Sequence, residues 1–336
     1  MQEEIAMNRS LGIYNIIDKD GINESIKKVL NSNFDFNTYT TPKGLKELRI
    51  EISKFLNKIW EYKVNYKDML ITNGSQQSIN LIAYSLLEQG DTVLIEQPTY
   101  FGAIDVFKKQ KINLIGIDLY ENGLDLKKLE KNIIKYSPKL IYVTPTFNNP
   151  TGYSWSNKNR KDFLKIINKY NITVLEDDPY RLINFTNNKY DSLYKLNNGK
   201  NIIYLGTFSK LISPSVNVGY ILSNESIINL IYSSKKSFDL CASALLQYIV
   251  LDYLKNTDLE KIIEIKIKIY KECLKKSISL LTQKYKSEIE YISKSKGGIF
   301  YLVKFKNNVD QNIFENGNNY YIDGNHTNVT RINICS

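Results

Sequence analysis

From about residue 69 to about residue 222 the chain keeps to one pattern, in which short apolar runs alternate with longer helical ones. MLIT precedes SINLIAYSLL, TVLIE precedes a helix predicted from about 101, and INLIGI precedes one predicted from 125. LIYVTP, a helix over 158–170, ITVLED, NIIYLG and VGYILS continue the series. A strand with one wet face alternates polar and apolar residues. These runs are apolar almost throughout, so both of their faces must be covered, and the intervening helices are the elements available to do it. The pattern predicts an α/β fold: a mostly parallel sheet flanked by helices.

The flanks read differently. Residues 23–31 and 44–58 predict helices, the second with Leu45, Leu48, Ile52, Phe55 and Leu56 at helical spacing. The stretch from 224 to about 285 is mainly helical, and runs at 288–293 and 299–305 read as strands. We expect a large domain over 61–240, with 1–60 and 241–336 packing together as a smaller α+β domain, shortened at the C-terminus. A chain of 336 residues is long enough for both.

Composition narrows the function classes. With 43% hydrophobic and 24% charged residues the chain is neither disordered nor collagen-like. No run of about eighteen apolar residues occurs, which argues against a membrane helix. The net charge of +10 is spread along the chain without a block of five or six like charges. It reads as a solvated surface rather than a nucleic-acid footprint. Cys241, Cys273 and Cys335 stand far apart with no CxxC pair, which fits a reducing compartment and no metal site. The start, MQEEIAMNRS, lacks the basic and apolar regions of a signal peptide, so a cytoplasmic location is expected. The one histidine, His326, lies in the polar run DGNHTN and reads as a loop residue, which disfavours Ser–His–Asp hydrolysis.

Six short motifs follow strands, and each has a plain reading beside a chemical one. Thr72-Asn73-Gly74-Ser75-Gln76-Gln77 is a helix cap, or a helix start whose N–H groups hold a phosphate. There is no Walker sequence and no GxGxxG. Tyr100, after TVLIE, is a core tyrosine or a ring stacked on a flat ligand. Asn148-Asn149-Pro150-Thr151-Gly152 is a turn, or a turn that fixes the Asn149 amide. Glu176-Asp177-Asp178-Pro179-Tyr180 is a solvated loop, or a cluster of acids facing something positive. In Gly206-Thr207-Phe208-Ser209-Lys210 the lysine is a surface charge or a Schiff-base nucleophile. Arg331, in Thr330-Arg331-Ile332-Asn333, is an edge-strand charge or a clamp for a carboxylate.

Taken together and in this order, the motifs resemble those of fold-type I pyridoxal-phosphate-dependent enzymes of the aminotransferase class I/II family. The likeness runs from about Tyr39 to Arg331 and is nearest to 2-aminoadipate and aromatic aminotransferases and to MocR-type aminotransferase-like domains. It implies pyridoxal 5'-phosphate as cofactor, an α-amino acid and a 2-oxo acid as substrates, and a homodimer. Lys210 would hold the cofactor as a Schiff base and then act as the base. Asp177 would pair with the ring nitrogen, Asn149 and Tyr180 with the ring hydroxyl oxygen, and Tyr100 would stack on the ring. Gly74, Ser75, Gln76, Thr207 and Ser209 would form the phosphate end. Tyr39 would serve the partner subunit's phosphate, and Arg331, beside Asn149, would take the substrate's α-carboxylate. The resemblance leaves decarboxylation, β-elimination and oxidative deamination open as other outcomes, and a ligand-sensing domain as another role.

Three departures accompany it. Asn217, in Ser215-Val216-Asn217-Val218-Gly219, stands where the family has an arginine on the phosphate, and another cation such as Lys43 is a candidate replacement. The stretches from Gly298 to Arg331 and beyond Arg331 are short, and so is the amino-terminal flank.

Overall fold

The computed structural model describes residues 17–32, 35 and 37–334. The polar start MQEEIAMNRS, on which the expected location rests, and Cys335 lie outside the described residues. Strands β1 (Met69–Thr72), β2 (Thr92–Gln97), β3 (Asn113–Tyr120), β4 (Gly123–Leu124), β5 (Leu140–Val143), β6 (Thr173–Asp177), β7 (Ile202–Thr207) and β8 (Gly219–Leu222) make one sheet. Its order is β1-β8-β7-β6-β5-β2-β3-β4. β7, β6, β5, β2 and β3 run parallel. β8 is antiparallel to both of its neighbours, and β4 turns back on β3.

The helices are α1 (Lys19–Leu30), α2 (Lys46–Trp60), α3 (Gly74–Leu86), α4 (Phe101–Lys109), α5 (Leu126–Tyr136), α6 (Asn157–Tyr170), α7 (Leu193–Leu196), α8 (Glu225–Phe238), α9 (Ala244–Asn256) and α10 (Leu259–Tyr285). None is long and apolar enough to cross a membrane. Alternate strand residues feed opposite faces, as the two-residue period requires. In β7, Ile202 and Tyr204 join the cluster that includes α5 and α6, while Ile203 and Leu205 join the one that includes α3, α4 and α8. Both faces are dry, which is why the strands read as unbroken apolar runs.

Two helices expected in the smaller domain, α2 and α9, pack on the large sheet. Leu48, Ile52, Leu56 and Trp60 of α2, and Val250, Leu251 and Leu254 of α9, belong to the large sheet's core. An amphipathic helix announces an apolar stripe but not which core receives it. A second unit has a core of its own. It comprises much of α10 and an antiparallel sheet, β11-β10-β9, of β9 (Ile289–Ile292), β10 (Phe300–Phe305) and β11 (Val329–Asn333). Its core also takes in Phe147, Tyr180 and Ile183 from loops of the large sheet. That shared packing sets β11 against the carboxyl ends of the parallel strands.

Candidate active site

The loops that leave the carboxyl ends of β1, β2, β5, β6 and β7 converge, as they do at ligand sites of open α/β sheets. They enclose a cavity of about 330 Å³. Ser75, Gln76, Tyr100, Asn149, Asp177, Tyr180, Thr207, Ser209, Lys210 and Arg331 line it, together with Phe101, Thr144, Pro179, Phe300 and Asn217. Two expected site residues do not. Gly74 lies beneath the wall with φ +74°, where an added Cβ would come within 2.3 Å of the Asn217 side-chain oxygen. Tyr39 is 82% exposed and lies among Thr38, Thr40 and Tyr248, away from this cavity.

Asp177 is the last residue of β6 and is buried. Its Oδ2 accepts a hydrogen bond from the Tyr142 hydroxyl at 2.7 Å. Its Oδ1 is buried without a partner. Burial pushes its carboxyl up to about 7, against the Tyr142 bond, with the neighbouring Asp178 adding in the same sense. A buried carboxylate with one free oxygen on a cavity wall is poised for a cationic ligand atom. Asp178 is otherwise engaged, in an ion pair with Arg181 and a 3.0 Å bond from Tyr204.

Lys210 stands three residues beyond β7, and burial and the Arg331 charge lower its pKa, which favours the neutral amine. Beside it, Ser209 N–H donates to Thr207 Oγ1 at 3.1 Å. Helix α3 starts at Gly74 with Asn73 at the cap position, so Ser75 is in the first turn rather than the cap. Asn73 does not cap the turn with its side chain; its amide donates to Asp239 at 3.0 Å. Gln76 accepts from the Tyr100 hydroxyl at 3.1 Å and donates to Gly102 O at 3.0 Å, so it holds the tyrosine in place. Lys43 does not supply the missing positive charge. It donates to Asn229 at 3.3 Å and lies over the Tyr232 ring. Among the described lining residues the cations are Lys210 and Arg331.

Arg331 comes from β11, the edge strand of the small sheet, yet it is 9% exposed. Its guanidinium lies 4.1 Å from the Phe300 ring centroid and donates through Nη1 to Asn149 Oδ1 at 3.2 Å. Nε and Nη2 donate to the two carboxylate oxygens of Glu315, at 3.0 and 2.9 Å.

Residues 11–336 match the family Aminotransferase class I and II. The chain belongs to that family. It is 28% identical over 277 residues to an aromatic-amino-acid aminotransferase of Thermococcus litoralis, covering 81% of this chain and 66% of the relative. It is 28% identical to a 2-aminoadipate transaminase of Thermus thermophilus, over 89% of this chain and 77% of that one. Its fold matches the kynurenine aminotransferase of Pyrococcus horikoshii, solved with PMP, at a TM-score of 0.89 and 28% identity, over 96% of this chain and 83% of the other. The fold is that of fold-type I enzymes, and the cofactor is pyridoxal phosphate.

The residues present fit that group. The free Oδ1 of Asp177 can meet a protonated ring nitrogen, and the first turn of α3 with Thr207 and Ser209 offers donors for a phosphate. Sequence reasoning missed several parts of this aminotransferase's site. Tyr142 lies inside an apolar strand and gave no sign of holding Asp177. Glu96 is buried at the end of β2 and takes the Thr144 N–H and the Asn148 amide, both at 2.7 Å, which fixes the loop that carries Asn149. Glu315 lies in a polar stretch that reads as a loop. His326 stacks on Tyr321 and does not line the cavity.

Proposed function

We propose that this aminotransferase moves an amino group between an α-amino acid and a 2-oxo acid, with Lys210 as the covalent anchor and proton carrier. Bound pyridoxal phosphate supplies an electron sink for the bond broken at the substrate's Cα. Asp177 keeps the ring nitrogen protonated and is itself held by Tyr142. Asn149 uses its oxygen on Arg331, which leaves its amide hydrogens for the ring hydroxyl oxygen, with Tyr180 beside it. Tyr100, steadied by Gln76, is the ring's stacking partner. Ser75, Gln76, Thr207 and Ser209 receive the phosphate, with Asn217 offering a neutral bond in place of an arginine's charge. Lys210, whose neutral form burial favours, moves a proton between the substrate's Cα and the cofactor. Arg331 takes the α-carboxylate.

The observation that carries this reading is the unpartnered, buried Asp177 Oδ1 in the same cavity as Lys210. The exposed Tyr39 supports a homodimer in which it reaches the partner's cavity. The test is a screen of amino acids with cofactor-loaded protein, following 2-oxo acid, ammonia, peroxide and carbon dioxide together. Transamination requires 2-oxo acid to form beyond one equivalent per site only when an acceptor 2-oxo acid is present. Release of ammonia or carbon dioxide without an acceptor would assign a different reaction to the same residues.

A further inference from the structure

The Arg331 guanidinium already holds a carboxylate, and it belongs to this chain. Glu315 does not reach it by chance. Phe314 before it is buried in the small-sheet core, and Asn316 after it caps the short helical turn Gly317–Tyr320. The Tyr320 hydroxyl donates to Glu315 Oε2, and Tyr320 is 1% exposed. The carbonyl of Tyr320 in turn accepts the Thr99 N–H at 3.0 Å, which ties the turn to the loop that carries Tyr100. Glu315 is thus fixed from both sides of the cavity.

We propose that Glu315 is a positioning residue for the substrate's α-carboxylate. This rests on the reading that Arg331 binds that group. A guanidinium has five N–H donors in a rigid fork. Glu315 takes two and Asn149 takes one, which leaves one N–H on each Nη. An incoming carboxylate accepts that remaining pair without displacing Glu315. Were Glu315 absent, two of the five donors of a largely buried arginine would lose their partners, and the fork would turn to find others. Holding the fork in the binding orientation beforehand lowers the cost of ordering it when substrate arrives. Glu315 also offsets the Arg331 charge, so the site grips by paired hydrogen bonds more than by net charge.

The probe is 3-phenylpropionate, a monocarboxylate with no amine to transfer, titrated calorimetrically into cofactor-loaded protein. Glu315→Gln keeps the shape and removes the charge. It should weaken binding about tenfold, as expected for losing a bond between charged groups. KM for the amino acid should rise by a similar factor with kcat nearly unchanged. Tyr320→Phe removes only the hydroxyl that steadies Glu315. It should weaken binding by a smaller factor in the same direction, and it decides the matter if Glu315→Gln does not fold. Tighter or unchanged binding would overturn the proposal, because Glu315 would then be a competitor or a bystander. Arg331→Gln separates the two readings. If it leaves binding unchanged, Arg331 is not the carboxylate site; if it abolishes binding while the Glu315 and Tyr320 variants do nothing, only the role of Glu315 falls.

Discussion

The cavity has two walls built in different ways. On the sheet side Asp177 ends a strand and Lys210 follows one closely, so a ladder of backbone hydrogen bonds sets where their Cα atoms lie. On the other side Arg331 sits on an edge strand of the small sheet and is aimed by Glu315, Asn149 and the Phe300 ring. Backbone ladders hold both walls, since Arg331 pairs with Leu302 of β10, but the far wall's head group is in addition aimed by side-chain pairing. Substitutions on the sheet wall should therefore remove chemistry and leave the architecture intact, whereas those on the far wall should change affinity.

The largest effect tests the sheet wall outright. Lys210→Ala should abolish both turnover and the visible absorbance of the covalently held cofactor, and a variant with full activity would refute the whole assignment. Next come the adjacent aspartates, which have opposite jobs. Asp177→Asn should lower kcat by at least ~100-fold, equivalent to about 3 kcal/mol, with little change in melting temperature. Asp178→Asn takes from the buried Arg181 the nearer of its two carboxylates, leaving Glu176 at 3.6 Å, and should instead cost about 3 kcal/mol of stability. Thermal melts beside steady-state kinetics on the two variants check this. If Asp178→Asn loses rate while Asp177→Asn loses stability, the roles are reversed.

A smaller effect concerns the phosphate end. Asn217→Arg adds a charged donor at a position that lines the cavity, and it should tighten cofactor binding by about tenfold. Equilibrium dialysis against the natural chain measures this, and no gain would mean that the phosphate lies out of reach of residue 217. The smallest effect is on pH dependence. In cofactor-free protein the Asp177 carboxyl is raised to about 7 from an ordinary value of 3.8, so between these values the folded state binds more protons than the unfolded one. This group's contribution to stability is present below about pH 4 and is lost as pH rises to about 7. A positive ring nitrogen removes that loss. Melting temperature should fall more steeply from pH 5 to pH 8 in cofactor-free than in loaded protein, and Asp177→Asn should flatten the cofactor-free curve. Equal slopes in the loaded and free protein would argue against the Asp177 contact.

The same contrast decides what was legible in the sequence. The sheet wall is readable because each apolar run stops at a polar motif, and a strand's end is a fixed place in an α/β fold. Lys210, Asp177 and Asn149 stand out on that ground as residues at or just beyond strand ends, and the roles expected of them come from the resemblance of the whole motif series. Glu315 does not stand out, because nothing local distinguishes it from the other polar residues of its loop; its role comes from Phe314, Asn316 and Tyr320 placing it across from Arg331. Tyr142 is hidden for the opposite reason, since a tyrosine inside an apolar strand looks like core until the oxygen it faces is known. The bounds of α2 are nearly those the periodicity predicts, and α9 falls in the stretch read only as mainly helical, but the allegiance of both to the large core is not visible in the sequence.

The antiparallel β8 carries one more consequence. Thr207 and Gly219 sit opposite each other on β7 and β8, so residues 208–218 leave and return on the same rung. Lys210 lies near one foot of this arch and Asn217 near the other. The arch thus acts as a ruler: its contour length, pinned at both feet, sets the span between Lys210 and the residue beside the α3 start. A parallel strand here would have required a crossover helix and separated the two marks. Lengthening or shortening the arch would recalibrate the distance without disturbing a single strand of the sheet.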